Sequence, residues 1–420
     1  MQKLKGEQKM ELITEKDRAV LRKLAERKAA YAQDEKNKAI LKKWHAQAER
    51  LRETPTVRLL FGNLQEEIIT PQMQCTGATA RKIEAALRSS MVGRELFDDD
   101  TPTSATFDLR WNRWVEPFGI TGKRTQHSAS KGYHIDLVIE DLESDFEKLK
   151  GGSFGVSKEE TLALYDAAAD IFGDILPPKI IGFQLHGAIT NPLVHLMGME
   201  NYYMSMYDCP DTLHQVMDMA TTVYERFFDF LEQENLLLPM DDFTPVGQET
   251  YAFNRELPKE NVTKTTQCWG FLESQETTSV SPKTFGEFVF PYQDRLVKRF
   301  GLLSYGCCER VDAIWPDYLS KWENLRKLSV SPFNNEDLVG EYLRGSNVVY
   351  YSKPRAELVS TPGAMDEEAV HKDFMRICQA ASGCLFEIGQ REVLTLHGDL
   401  QRGRRYVEIA KECIDRYWKP

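Results

Sequence analysis

Residues 302–352 read LLSYGCCERVDAIWPDYLSKWENLRKLSVSPFNNEDLVGEYLRGSNVVYYS, and this stretch decides the fold. Its apolar runs at 302–305, 328–331 and 348–352 have the length of buried strands, and the segments 316–324 and 335–343 between them have helical spacing. Strands separated by helices of this length pair in parallel through right-handed crossovers. The stretch therefore predicts α/β structure built on a parallel sheet.

The same alternation extends in both directions along the chain. Further strands are predicted at 56–61, 106–115, 179–185, 236–239 and 393–396. Further helices are predicted at 79–89, 158–172, 193–206, 211–233, 282–300, 366–381 and 402–417. The units repeat too evenly for two domains, and no strand is followed by a Gly-rich nucleotide fingerprint. A (β/α)8 TIM barrel over residues 55–420 fits better than a doubly wound sheet, which the pattern alone does not exclude.

The first 54 residues have a different composition. They are dense in Lys, Glu, Ala and Leu, and they contain neither Gly nor Pro between Gln8 and Arg52. Apolar residues recur at helical spacing, and Pro55 marks the end of the segment. Residues 1–54 are therefore predicted to form a helical N-terminal extension. Its apolar stripe favours a homodimer, since an exposed stripe needs a partner.

Charge and composition exclude several classes of function. The net charge is -11, and the short basic cluster at 402–405 is typical of a solvated helix face, so a nucleic-acid partner is not expected. No run approaches the ~18 apolar residues of a membrane span, and no signal core follows the N-terminus. The eight cysteines suit reduced thiols in a cytoplasm. We therefore expect a cytoplasmic protein that is not bound to membranes.

In a barrel the loops after the strands carry the active site. Five apolar runs in this chain end in reactive side chains. These are His186, the pair Asp241-Asp242, the group Glu273, Gln275 and Glu276, the run Cys307-Cys308-Glu309, and His397. Thiol, imidazole and carboxylate groups are thus expected at one rim. Such a set suits a catalytic zinc with one open position, or a nucleophilic cysteine with a histidine base, and the sequence pattern leaves both open.

Three runs carry a family resemblance: WGFLESQE at 269–276, VSPKTFGEFVFPY at 280–292 and YGCCE at 305–309. They resemble the uroporphyrinogen decarboxylase superfamily, and within it the decarboxylase-like cobamide-dependent methyltransferases. The resemblance runs from Pro55 to the C-terminus, is most specific over 241–354, and implies a (β/α)8 barrel. The chain lacks the decarboxylases' Met-Arg-Gln-Ala-Gly-Arg run. Tyr305 stands where the methyltransferases have a zinc-binding His two residues before Cys.

The resemblance implies a zinc-dependent methyltransferase. It would move a methyl group, as in demethylation, between a small methylated substrate and the corrinoid of a partner protein. The family's zinc site is carried over only at Cys307; we add Cys308, His397 and Glu273 as candidate metal ligands. The catalytic candidates are Asp242, His186 and Glu276. Tyr305 and Gln275 are the candidates for contact with the cofactor.

Two alternative functions stay open at this point. The first is a decarboxylase of a tetrapyrrole or a smaller acid, with Asp242 stabilising a protonated intermediate; the missing Arg run counts against it, because many carboxylates need bidentate Arg partners. The second is a non-catalytic tetrapyrrole- or corrinoid-binding protein. The thiol pair Cys307-Cys308 counts against that reading.

Overall fold

The structure is a computed structural model that describes residues 13–122, 124–126 and 133–420. Residues 1–12 of the predicted extension lie outside the described residues. Helices α1 to α14 are, in chain order, Glu15–Gln33, Glu35–Ala48, Gln65–Ile68, Ala78–Ser89, Glu159–Phe172, Thr190–Asp208, Pro210–Gln233, Pro282–Phe288, Phe290–Val297, Val311–Ile314, Glu336–Leu343, Glu357–Ser360, Glu367–Ala380 and Leu400–Tyr417. Among the described helices, none is long and apolar enough to cross a membrane.

Strands β1 to β15 are, in chain order, Thr56–Leu59, Phe107–Leu109, Asn112–Glu116, Arg124–Gln126, Tyr133–Ile135, Ser153–Ser157, Pro178–Ile180, Leu185–His186, Pro245–Val246, Thr250–Tyr251, Trp269–Leu272, Leu302–Tyr305, Leu325–Val330, Val349–Ser352 and Leu385–Gln390. Seven of them form one parallel sheet in the order β1-β15-β14-β13-β12-β11-β8. Their carboxyl ends therefore meet at one edge. We call this the carboxyl edge.

The sheet is buried on both faces, as parallel sheets are. Every residue of β12, β14 and β15 is buried, and α13 packs against both α14 and α11 outside the strands. The α/β prediction with a parallel, helix-covered sheet is confirmed at this level. The architecture is consistent with a TIM-barrel-like fold, although no strand ladder joins the edge strands β1 and β8 in the described part of the chain.

Two N-terminal helices pack on the rest of the molecule. Helix α1 lies against α4 and α5 and buries Leu21 and Leu24 in a shared apolar cluster. Helix α2 inserts Trp44, whose ring stacks on Phe253 at 5.4 Å and whose Nε1 donates to the Asp100 carbonyl at 2.8 Å. The predicted domain boundary at residue 55 and the predicted homodimer stay predictions.

The predicted strand at 393–396 is wrong, because that segment is irregular and the last strand of the sheet is β15. The sequence of β15 is LFEIGQ, and the polar residues Glu387 and Gln390 interrupt the apolar pattern by which a strand is predicted. Both side chains are buried and hydrogen-bonded, so the strand is an interior one in spite of its composition. His397 therefore lies several residues beyond the strand end, within the loop before α14.

The predicted strands at 179–185 and 236–239 are also wrong in detail. The first is split into β7 and β8 around Gly182, where a Cβ would approach the Leu238 carbonyl oxygen to 2.3 Å. The second forms no ladder. Pro239 has no N–H to donate, and its carbonyl accepts from Gly182 N at 2.9 Å.

Two predicted helices have different bounds in the structure. The segment 316–324 is not an α-helix: it contains a short 3-10 turn at Leu319–Lys321, and α10 lies before it and ends ahead of Pro316, whose ring and missing N–H stop that helix. The segment 282–300 forms two helices, α8 and α9, separated by a break at Val289, where φ is -124°.

The extended structure predicted at 106–115 is divided between two strands, β2 and β3.

Candidate active site

The thiol pair Cys307-Cys308 lies directly after β12 at the carboxyl edge. Gly306 turns the chain there with φ of +101°, a conformation that side chains with a Cβ rarely adopt. The Sγ atoms of Cys307 and Cys308 are 3.7 Å apart, and Cys307 Sγ lies 3.1 Å from Gln275 Oε1. The structure thus brings three of the predicted site residues together.

The two thiols hold their protons unequally. A hydrogen bond from Cys307 lowers the pKa of Cys308 below its ordinary value, and the charge of Lys353 acts in the same direction. The same hydrogen bond, together with burial, raises the pKa of Cys307. The pair titrates as a unit, in which Cys308 becomes the thiolate while Cys307 keeps the proton.

Two carboxyl groups lie against the pair, with different roles. Glu309 is 2% exposed; its Oε1 accepts from Ser274 N at 2.8 Å and its Oε2 from Cys307 N at 2.6 Å. It therefore ties the loop after β11 to the loop after β12. Burial, followed by the charges of Glu309 and Glu276, raises the pKa of Glu273 to about 7. Glu273 is thus a carboxyl group that gains and loses its proton near neutrality.

Lys353 and Arg391 are functional candidates that sequence reasoning missed. Lys353 follows β14, is 6% exposed, and places Nζ 3.8 Å from Cys307 Sγ and 3.4 Å from Gln248 Oε1. Arg391 follows β15, contacts Gln248 Oε1, and lies 3.3 Å from Glu249 Oε1. Lys353 follows the predicted strand at 348–352 directly, which was a usable signal. Arg391 had no such signal, because β15 was not recognised.

The turn between β9 and β10, residues 247–249, contacts both Lys353 and Arg391. Gly247, Gln248 and Glu249 have φ of 21°, 31° and 67°. Non-glycine residues in such conformations cost about 1–3 kcal/mol each, so surrounding contacts must hold them. Two of these contacts are the Tyr351 hydroxyl, which donates to the Gln248 carbonyl at 2.8 Å, and Gly247 N, which donates to Gln184 Oε1 at 2.5 Å.

A cavity of about 380 Å³ opens beside the thiol pair. Its lining includes Cys308, Ser331, Phe333, Lys353 and Arg391. The ring of Phe333 is 63% exposed at this site. A cavity of this volume is suited to a small molecule, and Cys308, the member of the pair that becomes the thiolate, is one of its lining residues.

Two predicted residues lie near the thiol pair, but their side chains are buried and hydrogen-bonded to other residues. Glu276 is 5% exposed and accepts from Thr190 Oγ1 and Asn191 Nδ2, both at 2.7 Å, so it fixes the start of α6. Tyr305 is fully buried, with its hydroxyl 2.9 Å from Ser274 Oγ. Its predicted contact with a cofactor would need a side chain that reaches the cavity, and this one is enclosed among other side chains.

Two further predicted residues lie outside the thiol cluster. His186, at the end of β8, stacks on Phe271 with ring centroids 5.0 Å apart; burial and the Arg113 charge lower its pKa to about 4, so it is neutral at pH 7. Asp242 pairs with Lys259, with Oδ1 2.6 Å from Nζ. Within the described part of the chain, neither forms a hydrogen bond or an ion pair with Cys307 or Cys308.

The predicted zinc ligands do not form a metal site as they are arranged. Among the described residues, no group of three or more His, Cys, Asp or Glu side chains is placed to hold a metal ion. His397 is exposed, and its Nε2 is hydrogen-bonded to the Ser360 carbonyl at 2.9 Å. In addition, the Lys353 ammonium lies beside the sulfur that would bind the metal, and like charges repel. As they are arranged, these residues do not fit the ion.

Comparison with known proteins adds information on the fold. No family model matches the sequence, and no curated protein matches it. Among solved structures, a methyltransferase from Methanosarcina mazei is similar, with a TM-score of 0.50 and 11% sequence identity over 89% of this chain and 98% of that chain. At this identity the likeness is one of fold alone.

Proposed function

We propose that this chain is a methyltransferase that moves a methyl group between a small methylated substrate and a corrinoid carried by a separate protein. The observation that carries the proposal is the cavity at the carboxyl edge that Cys308 and Lys353 line, with Glu273 hydrogen-bonded to Cys307, the neighbour of Cys308. The fold likeness to the methyltransferase from Methanosarcina mazei and the sequence resemblance point in the same direction.

Glu273 has the properties of a proton donor for demethylation. When a methyl group leaves an oxygen, nitrogen or sulfur atom, the electron pair of the broken bond stays on that atom, which then needs a proton. A carboxyl group with a pKa of about 7 supplies this proton near neutrality and accepts it in the reverse direction. Glu273 fits this role because burial keeps much of its population protonated.

The thiolate of Cys308 has a complementary electrostatic role. As the substrate atom is protonated and the methyl group departs, positive charge develops on both. A fixed negative charge in a partly enclosed site stabilises that charge distribution. The hydrogen bond from the Cys307 thiol, and after it the charge of Lys353, lower the pKa of Cys308 and so favour its thiolate form.

The corrinoid, when bound by the partner, supplies a nucleophilic cobalt that accepts the methyl group. The cavity of about 380 Å³ is suited to the small substrate, so the partner's cofactor is expected to meet it at the mouth. The exposed Phe333 ring lies at this cavity and offers an apolar contact for the approaching partner.

The test uses free cob(I)alamin in place of the partner protein. The full chain is mixed with small methyl ethers, methylamines and methyl thioethers, and methylcobalamin formation is followed by visible absorbance; the reverse reaction starts from methylcobalamin and the demethylated compounds. Wild-type protein should transfer methyl from at least one class. Glu273→Gln should reduce the rate about 100-fold or more, the usual contribution of general acid catalysis.

The matched control is Cys209→Ser, which removes a partly buried cysteine after α6. It should retain wild-type activity, whereas Cys308→Ser should lose most of it. Absence of transfer in both directions for every class of compound would overturn the proposal, as would equal activity of Cys308→Ser and Cys209→Ser.

A further inference from the structure

We infer that the cavity beside Cys308 binds a small carboxylate, whose anionic group contacts Lys353 Nζ and the Arg391 guanidinium. The inference that a carboxylate binds here depends only on the cavity. The inference that this carboxylate is part of the methyl-bearing substrate rests on the proposed function.

Lys353 is a buried cation whose present partners are weak. Its side chain lies in the wall of the cavity with 6% exposure, and its hydrogen-bond partners in the described structure are an amide oxygen of Gln248 at 3.4 Å and Cys307 Sγ at 3.8 Å. Cys307 is the member of the pair that keeps its proton. The Cys308 thiolate acts on Lys353 through its charge, but among the described residues no carboxylate is hydrogen-bonded to Nζ, so an anion delivered to Nζ is favoured.

The two nearest carboxyl groups do not meet this need. Glu309 is electrostatically coupled to Lys353, but both of its oxygens already accept backbone N–H groups. Glu273 is also coupled to Lys353, but its raised pKa leaves it partly protonated at neutral pH. Lys353 thus remains available to an incoming carboxylate.

Arg391 provides the second contact and shows the same preference for a carboxylate. Its guanidinium lies 3.3 Å from Glu249 Oε1 and 3.8 Å from Glu392 Oε1, and it contacts Gln248 Oε1. The Glu249 side chain is 47% exposed and stands on the positive-φ turn, so it is an occupant that a ligand is able to displace. Planar guanidinium groups match carboxylates through two parallel hydrogen bonds.

The charged side chains that line the cavity differ in their exposure to solvent. Glu357 and Glu392 also line it, but both are exposed, whereas Lys353 is buried. The positive charge is therefore in the low-dielectric wall, where it acts most strongly, and the negative charges are screened by water. A small anion that enters the cavity is attracted by Lys353 and Arg391 and repelled by the Cys308 thiolate and, through water, by the two rim carboxylates.

Binding is tested without turnover. Methoxyacetate, (methylthio)acetate and N,N-dimethylglycine are compared with their neutral primary amides by calorimetry and by thermal shift of the full chain. The carboxylates should bind and the amides should not. Lys353→Met, which keeps the stem and removes the charge, and Arg391→Gln should each weaken binding about tenfold or more. Arg405→Gln on α14, a matched surface control, should bind as the wild type does.

Circular dichroism melts establish that the variants are folded. A further variant, Glu249→Gln, keeps both Lys353 and Arg391. With one of the two carboxylates that pair with Arg391 removed, it should bind the probes more tightly. Equal binding of carboxylates and amides, or unchanged binding in folded Lys353→Met, overturns the inference even if methyl transfer is observed. Carboxylate binding without methyl transfer supports the site and overturns the proposed function instead.

Discussion

Lys327 on β13 and Glu387 on β15 form an ion pair in the interior of the molecule, with Nζ 2.6 Å from Oε1 and side chains 3% and 1% exposed. Thr250 Oγ1 contacts both partners, at 2.8 Å from Nζ and 2.5 Å from Glu387 Oε2. Burial lowers the pKa of Lys327, and the charge of Glu387 opposes that shift. The two strands on either side of β14 are thus linked by charged groups that satisfy one another.

Lys327→Met should destabilise the protein by about 3–5 kcal/mol, because it leaves the Glu387 charge buried without its partner. Urea unfolding followed by circular dichroism measures the loss. Lys82→Met removes one partner of the exposed Lys82–Glu160 pair and should cost less than about 1 kcal/mol. Similar losses in both variants would show that the interior pair contributes no more than a surface pair.

The Lys327–Glu387 pair also explains where sequence reasoning failed on the fold. Apolar strands such as β12 and β14 were predicted close to their observed bounds, because their patterns are uninterrupted. Strand β15 contains a charged residue that is neutralised by another strand far away in sequence. A local pattern contains no information on such a partner, so the strand was misplaced to 393–396.

Cys308 should be alkylated by iodoacetamide below pH 7, because the thiolate reacts and its pKa is lowered by Cys307 and Lys353. As the pH rises through that lowered pKa, the rate should rise and level off. Mass spectrometry of the peptide gives the rate. Cys209 serves as the internal control, since burial raises its pKa. Lys353→Met should move the Cys308 profile to higher pH, and an unmoved profile would remove Lys353 from this role.

Glu273 should make the protein less stable as the pH rises from about 4.5 to about 7. Its folded-state pKa of about 7 lies above the ordinary value of 4.5, so the folded state holds the proton more tightly and loses that advantage as the pH increases. Glu273→Gln removes the effect. At pH 8 the variant should be more stable than the wild type by about 1–3 kcal/mol, allowing for screening, and at pH 4 the two should be similar.

Urea unfolding at both pH values measures this difference. Glu160→Gln, at an exposed surface position, should change stability little at either pH. If Glu273→Gln has the same effect at pH 4 and pH 8, the carboxyl group does not titrate as its surroundings indicate.

The candidate site was predictable where the chain itself places reactive groups at a strand end. Cys307, Cys308, Glu273 and Gln275 were found in this way, and the structure brings them together. Lys353 was missed because a basic residue after a strand is common and its burial depends on the fold, and Arg391 was missed because β15 was not recognised.

His397→Asn should leave both the zinc content and the methyl-transfer activity of the purified protein unchanged. His397 has φ of +56°, and Asn tolerates this conformation better than Ala, so the variant removes the imidazole without straining the loop. The ring is hydrogen-bonded to the Ser360 carbonyl and has no thiol partner. Metal analysis of wild type, His397→Asn and Cys307→Ser decides the question. A loss of about one zinc ion per chain in both variants would mean that the loop before α14 closes onto the thiol pair when metal binds. The predicted ligand set of Cys307, Cys308, Glu273 and His397 would then describe that closed arrangement.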